Sequence, residues 1–346
     1  MGRLGVVLFN LGGPDNPEAI APFLFNLFND PAIIGLPGIL RWPLAKFISN
    51  RRAPVARDIY RHLGGKSPLL EETQAQAQAL GHRLTAELGM KADEIRVFIA
   101  MRYWHPMTAA TVSEVKAFGP DRIVLLPLYP QFSTTSTGSS IKEWRREAAA
   151  QGLETPTRAV CCYPVDRGYI ESQAGLIAPA IEEAKKIGRF RVLFSAHGLP
   201  EKIVAKGDPY PWQIEATAEA LVSALAIQGL DWVVCFQSRV GRLKWIGPSL
   251  DDELRRASND GVVVVVVPIA FVSEHSETLV ELDIEYRKIA QALAIPAYIR
   301  VPTIGIEEAF ISALARIAVA ALNGDNETCS SAGGRQCPPE HGQCPL

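Results

Sequence analysis

Hydrophobic and polar positions divide the chain into short, uniformly apolar runs separated by longer amphipathic ones. Runs at 5–10, 95–101, 122–128, 159–163, 191–196, 232–237, 262–267 and 298–301 are rich in Val, Ile, Leu and Phe. Such runs suit strands buried on both faces of a parallel sheet better than half-exposed, alternating ones. Helical patterns fall between them, as over 70–89, through Lys186, and over 306–322. Regular strand–helix alternation predicts parallel sheets with right-handed crossovers. Two such series, meeting near Thr157, predict an α/β protein of two Rossmann-like domains facing a cleft. The expected limits are 1–155 and 156–310, with a C-terminal helix and a cysteine-bearing tail over 311–346.

The stretch from Gly261 to Tyr286 carries the strongest pattern. Six valines, Val262 to Val267, predict a central strand, and after Pro268 the period changes. Glu277, Glu281 and Glu285 recur every fourth residue, with Leu279, Leu282 and Tyr286 opposite, which predicts a helix with an acidic face and a core face. Carboxylates at i,i+4 repel by a few tenths of a kcal/mol per pair, so such a face needs water or cations. Glu274 and His275 lie at the carboxyl end of the valine strand, where open α/β sheets place ligands.

Composition narrows the function. A chain of 346 residues with 48% hydrophobic residues fills two cores, and a formal charge of −2 gives no basic footprint for nucleic acid. Neither dinucleotide nor Walker glycine patterns follow a strand, which excludes a nucleotide cofactor. Leu11-Gly12-Gly13-Pro14 instead reads as a tight turn or a point of close approach. The N-terminus lacks a signal-peptide layout and no apolar run is long enough to span a bilayer, so a cytoplasmic protein is expected. Residues 23–50 form an apolar lip cut by Pro31, Pro37 and Pro43 into pieces too short for good core helices. Flanked by Arg41, Lys46, Arg51 and Arg52, it predicts peripheral membrane contact as an alternative to core. The hydroxyls of Ser133–Ser140 are candidates to cap the helix after them.

Several blocks then carry a family resemblance. V-L-F-S-A-H-G-L-P-E-K-I-V-A-K-G-D-P-Y at 192–210 resembles the signature of the ferrochelatases. L-F-N-L-G-G-P, N-R-R-A-P, G-G-K-S-P-L, L-Y-P-Q-F-S-T-T-S-T-G-S-S, F-Q-S-R-V-G and P-I-A-F-V-S-E-H-S-E-T-L-V-E-L-D-I-E-Y resemble other blocks of that family, in its order, over residues 5 to about 310. The resemblance implies a class II chelatase-like fold with a porphyrin-binding cleft, and insertion of ferrous iron into protoporphyrin IX without nucleotide hydrolysis.

By the same resemblance His197 and Glu277 are catalytic and meet the substrate iron, facing each other across the macrocycle. Glu274, His275, Glu281 and Glu285 match an acidic path for iron or protons, although Glu274 stands where animal members have aspartate. Arg52, Tyr60 and Ser67 match positions that hold propionates, and Leu11, Arg102, Tyr103 and Trp245 match pocket positions. The chemistry agrees, because removing two pyrrole protons needs a base of near-neutral pKa. An apolar Leu11 beside the lip favours protoporphyrin IX, with coproporphyrin III the alternative. A non-catalytic haem- or metal-binding protein would not need both a base and an acid on separate strand ends. Oligomeric state is open, a homodimer included.

Three of six cysteines lie in the Gly/Pro-rich tail. Reduced cytosolic thiols in sets of four hold iron–sulfur clusters, and some ferrochelatases resemble this layout, which implies a [2Fe-2S] cluster on Cys329, Cys337, Cys344 and one internal cysteine. Animal members space the tail cysteines more closely and carry the internal one where this chain has Thr134. Cys161 and Cys162, side by side on a strand, should face opposite ways, and Cys162, nearer the strand end, is preferred narrowly. Cys235, inside an apolar strand, reads as a core thiol.

Overall fold

A computed structural model of the chain describes residues 2–239 and 243–346. It divides into two compact units, one reaching to Cys162 and including Leu314–Gly334, the other comprising Tyr163–Ala313 and Arg335–Leu346. The segment 311–346, expected as an appendage, is thus shared between the units.

The first unit holds β1 (Leu4–Asn10), β2 (Ile95–Met101), β3 (Arg122–Pro127) and β4 (Thr157–Val160) in a sheet of order β2-β1-β3-β4. All pairs are parallel, and every residue of the central β1 is buried, as its unbroken apolar run requires. The second unit holds β5 (Phe190–His197), β6 (Trp232–Gln237), β7 (Val263–Pro268) and β8 (Tyr298–Arg300) in the parallel order β6-β5-β7-β8. The valines of β7 are all buried. The carboxyl ends of β6, β5 and β7 therefore lie side by side.

Two local expectations are corrected. The chain is not broken at Pro43: after α1 (Ile20–Phe28), a single helix α2 (Gly38–Arg61) runs through Pro43 and Pro54, while Pro31 and Pro37 lie between the two helices. The acidic helix Glu277–Tyr286 is a π-helix, whose wider turn does not keep residues four apart on one line. Leu279 is accordingly only half-buried, while Val280, Leu282 and Tyr286 pack inward. The tail also contributes a strand: β9 (Thr328–Cys329) pairs in parallel with β4, Ala159 opposite Thr328 and Val160 opposite Cys329.

The glycine turn after β1 serves packing. Gly12 has φ +85°, and a Cβ there would come within 2.9 Å of the Trp104 backbone nitrogen; one on Gly13 would come within 2.5 Å of Ser67. The helix Thr137–Ala150 begins at Ser136 without a side-chain cap, so the expected capping by that hydroxyl run is absent at its first residue. Ser133 and Thr135 instead bond each other.

Candidate active site

In the second unit, three of the expected site residues and one unexpected serine gather at adjacent strand ends. His197 is the last residue of β5, Ser238 follows β6, and Glu277 and Glu281 open the π-helix beyond β7. The His197 Nδ1 donates to Glu277 Oε2 at 2.8 Å. Ser238 Oγ lies 3.0 Å from Glu277 Oε2 and 2.6 Å from Glu281 Oε2, and its backbone nitrogen donates to Glu281 Oε1 at 2.8 Å. Gln237 Nε2 donates to Glu281 Oε2 at 3.3 Å while its Oε1 accepts from Ser195 Oγ at 2.8 Å, which fixes the amide from below. His275 is buried, with Nδ1 donating to the Ser273 carbonyl and Nε2 4.0 Å from Glu277 Oε1.

His197 and Glu277, the pair that the resemblance sets to face each other, meet directly. In this structure they form an ion pair, the imidazole 40% exposed. Desolvation pulls the His197 pKa down, but the Glu277 carboxylate outweighs it and the net shift is upward. Desolvation pushes Glu277 up, and the His197 charge and hydrogen bond reverse this, holding the carboxyl at about 2. Glu281 goes the other way: desolvation first and Glu277 second push it up to about 7. One hydroxyl hydrogen cannot serve two carboxylates at once, so a proton on Glu281 completes the bond to Ser238.

The remaining acidic positions are placed apart. Glu274 Oε1 accepts from Arg300 Nη1 at 2.8 Å and from the Thr303 nitrogen at 3.0 Å. Desolvation would raise this carboxyl, but Arg300 prevails and lowers it. Glu274 is therefore held as an ion-pair partner of Arg300 through Oε1. Glu285 is exposed, whereas Glu277 and Glu281 are half-buried. Trp245 forms a bridge with Pro200, in the loop after His197. Val240 and Gly241, of the F-Q-S-R-V-G block, lie outside the described residues.

Nearly the whole chain, residues 3–322, matches one family model, Ferrochelatase. A ferrochelatase of Phenylobacterium zucineum is 54% identical over 344 residues, covering 99% of this chain and 97% of the relative. That of Pelagibacter ubique is 51% identical over 318 residues, covering 92% and 91%. The chain belongs to the ferrochelatase family. It is an enzyme, a metal–porphyrin chelatase with Fe(II) as substrate. In fold it is similar to the sirohydrochlorin chelatase SirB of Bacillus subtilis subspecies spizizenii in complex with cobalt, with a TM-score of 0.52 at 12% identity, covering 93% of this chain and 96% of the other.

The other ferrochelatase positions lie in the first unit around one apolar cluster. Tyr60 and Tyr103 are buried in it with Ile20, Phe23 and Ala53, and Leu11 and Phe28 pack at its margin. The Arg52 guanidinium sits 5.9 Å above the Phe28 ring and its pKa is lowered by burial; that of Arg102 sits 5.1 Å above Tyr103. Buried Ser67 donates its backbone nitrogen to the Pro14 carbonyl, and its hydroxyl accepts from Leu69. The lip outside this cluster is exposed: Ile39 by 88%, Phe47 by 63% and Trp42 by 56%. Arg41 is not free to face a surface, because its side chain bonds the Asn29 and Leu36 carbonyls. No described helix is long and apolar enough to cross a membrane.

Sequence reasoning missed Ser238, Gln237 and Asp30. The signal for the first two was their place at the end of a buried strand, two polar residues where apolar ones had run. Ser238 also has φ +60°, unusual outside glycine.

The cysteines are partly assembled. Cys161 and Cys162 follow β4 rather than lying on it, and their thiols are 3.5 Å apart, so the expected opposite orientation does not hold. The Cys161 nitrogen donates to the Cys329 carbonyl, and the Cys329 thiol, raised by burial, also feels Cys162. Cys337 Sγ accepts from Gln213 Nε2 at 3.0 Å. Among the described residues no three metal-ligating side chains gather into a ready-made ion site. Two of the four expected thiols adjoin, and the full ligand set is not closed. Cys235 is buried in β6, its thiol pushed far up by burial.

Proposed function

We propose that this ferrochelatase inserts ferrous iron into protoporphyrin IX, forming protohaem and releasing two protons. The observation that carries the reading is the His197–Glu277 ion pair beside a Glu281 carboxyl poised near neutrality. At rest His197 keeps its proton because Glu277 is 2.8 Å away. A macrocycle that parts the pair removes the carboxylate's influence, leaves desolvation dominant, and frees the imidazole as a base near neutral pH. Ser238 then bridges Glu277 and Glu281 as a relay toward solvent. Leu11 and the apolar cluster support a substrate with vinyl and methyl edges. Steady-state kcat/KM for protoporphyrin IX and coproporphyrin III tests the assignment; a higher value for the tetracarboxylate would replace it.

The exposed lip supports peripheral membrane contact, and a homodimer is a second state consistent with so apolar a face. The adjoining Cys162 and Cys329 support a [2Fe-2S] cluster completed by Cys337 and Cys344. Protein purified without oxygen should then be red-brown, with about two iron and two sulfide per chain, the content of such a cluster. Colourless protein lacking sulfide would dismiss the cluster and leave the chelatase intact.

A further inference from the structure

Asp30, just beyond α1, is buried and draws together three elements. Its Oδ2 accepts from Tyr103 Oη at 2.8 Å, from Ser139 Oγ at 2.6 Å and from Arg102 Nη2 at 2.8 Å. Its Oδ1 accepts from the Ala32 nitrogen, and Arg102 Nε donates to Ser139 Oγ at 2.8 Å. Glu143, on the same helix as Ser139, also feels the Arg102 charge. The guanidinium is therefore compensated before any ligand arrives.

Arg52 borders the same apolar cluster under opposite conditions. It lies over the Phe28 ring, and among the described residues it has no carboxylate partner. Burial alone lowers its pKa, as expected for an unanswered cation. Beside the cluster, Phe28 thus carries a cation seeking an anion, and Tyr103 a neutral ion pair. A carboxylate at Arg52 gains a charge-assisted bond, whereas one at Arg102 loses water and meets a cation already bonded to Asp30.

We infer that Asp30 is a specificity-determining residue, which neutralises Arg102 and so selects a porphyrin with carboxylates at one edge and uncharged substituents at the other. The inference rests on the proposed seating of the macrocycle against these residues. A pocket with two arginines would thereby reject a tetracarboxylate, because the second arginine is bonded to the protein's own acid.

The test is fluorescence-quenching titration of folded protein with protoporphyrin IX and coproporphyrin III. In Asp30→Asn, the released Arg102 should tighten coproporphyrin III by about tenfold, the worth of one charge-assisted bond, with protoporphyrin IX within about threefold of wild type. Adding Arg102→Gln should return the preference to that of wild type, which simple loss of packing would not do. The double variant leaves no unpaired buried charge, so it serves if the single variant does not fold. It should then bind both porphyrins within about threefold of wild type, and a tenfold loss of coproporphyrin III binding would overturn the inference by making Arg102 a free carboxylate anchor. An unchanged preference in folded Asp30→Asn, with Arg102→Gln still weakening either porphyrin, would overturn the role of Asp30 alone. Unchanged binding of both porphyrins in every variant would overturn the seating of the macrocycle itself.

Discussion

Neutralising Glu281 should stabilise the protein, and by an amount that depends on pH. Its carboxyl lies at about 7 in the folded chain against 4.5 ordinarily, because desolvation and Glu277 disfavour its charge. A shift of two to three units corresponds to about 3 kcal/mol at 1.36 kcal/mol per unit. The native state binds the extra proton, so this cost is absent below pH 4.5, grows as pH rises, and is complete above pH 7. Glu281→Gln removes it but turns an amide N–H toward donors from Ser238 or Gln237, a penalty of about 1–2 kcal/mol that does not vary with pH. Comparing Glu281→Gln with wild type by urea denaturation at pH 5 and pH 8 cancels that constant. The variant should gain about 3 kcal/mol relative to wild type between the two pH values, or somewhat less. A difference flat to within about 0.5 kcal/mol, the usual scatter for a surface change, would refute the perturbed carboxyl and the relay built on it.

Other consequences are equally direct. His197→Ala should abolish iron insertion; near-normal turnover in folded protein would remove its role as base. Gly13→Ala should destabilise by about 1–3 kcal/mol, because its Cβ would come within 2.5 Å of Ser67 and the turn must open; an unchanged denaturation midpoint would show that the turn yields freely. Replacing Ile39, Trp42 and Phe47 together by serine should lower co-sedimentation with phosphatidylserine-containing vesicles, each lost apolar side chain removing about 1.5–3 kcal/mol of possible burial; equal sedimentation of variant and wild type would exclude the lip as the contact.

The parallel sheets were legible because their strands are buried on both faces and so lack polar positions, as in β1 and the valines of β7. The places of His197 at the end of one buried strand and of Glu277 beyond another were legible too, while their roles came from the family resemblance. The π-helix could not, since glutamates four apart fit an α-helix as well and nothing in their spacing reveals the wider turn. The continuity of α2 through Pro43 and Pro54 was hidden for a related reason: proline lacks one donor, but neighbouring turns carry the helix on. Asp30 gave no signal, because its three partners are 73, 109 and 72 residues away. Ionic partnerships of that kind exist only once the chain has folded.

The short pairing of β9 with β4 also gives the cysteine tail a duty unrelated to metal. A parallel sheet that ended at β4 would offer a row of open N–H and C=O groups to any extended segment, including another copy of the same edge. Two residues and the bonds beside them, from the Cys161 nitrogen to the Cys329 carbonyl and from the Ser331 nitrogen to the Cys162 carbonyl, occupy that margin. Whatever the thiols bind, the chain carrying them works as a hem, and cutting it before Thr328 should leave a protein that adheres to itself along β4.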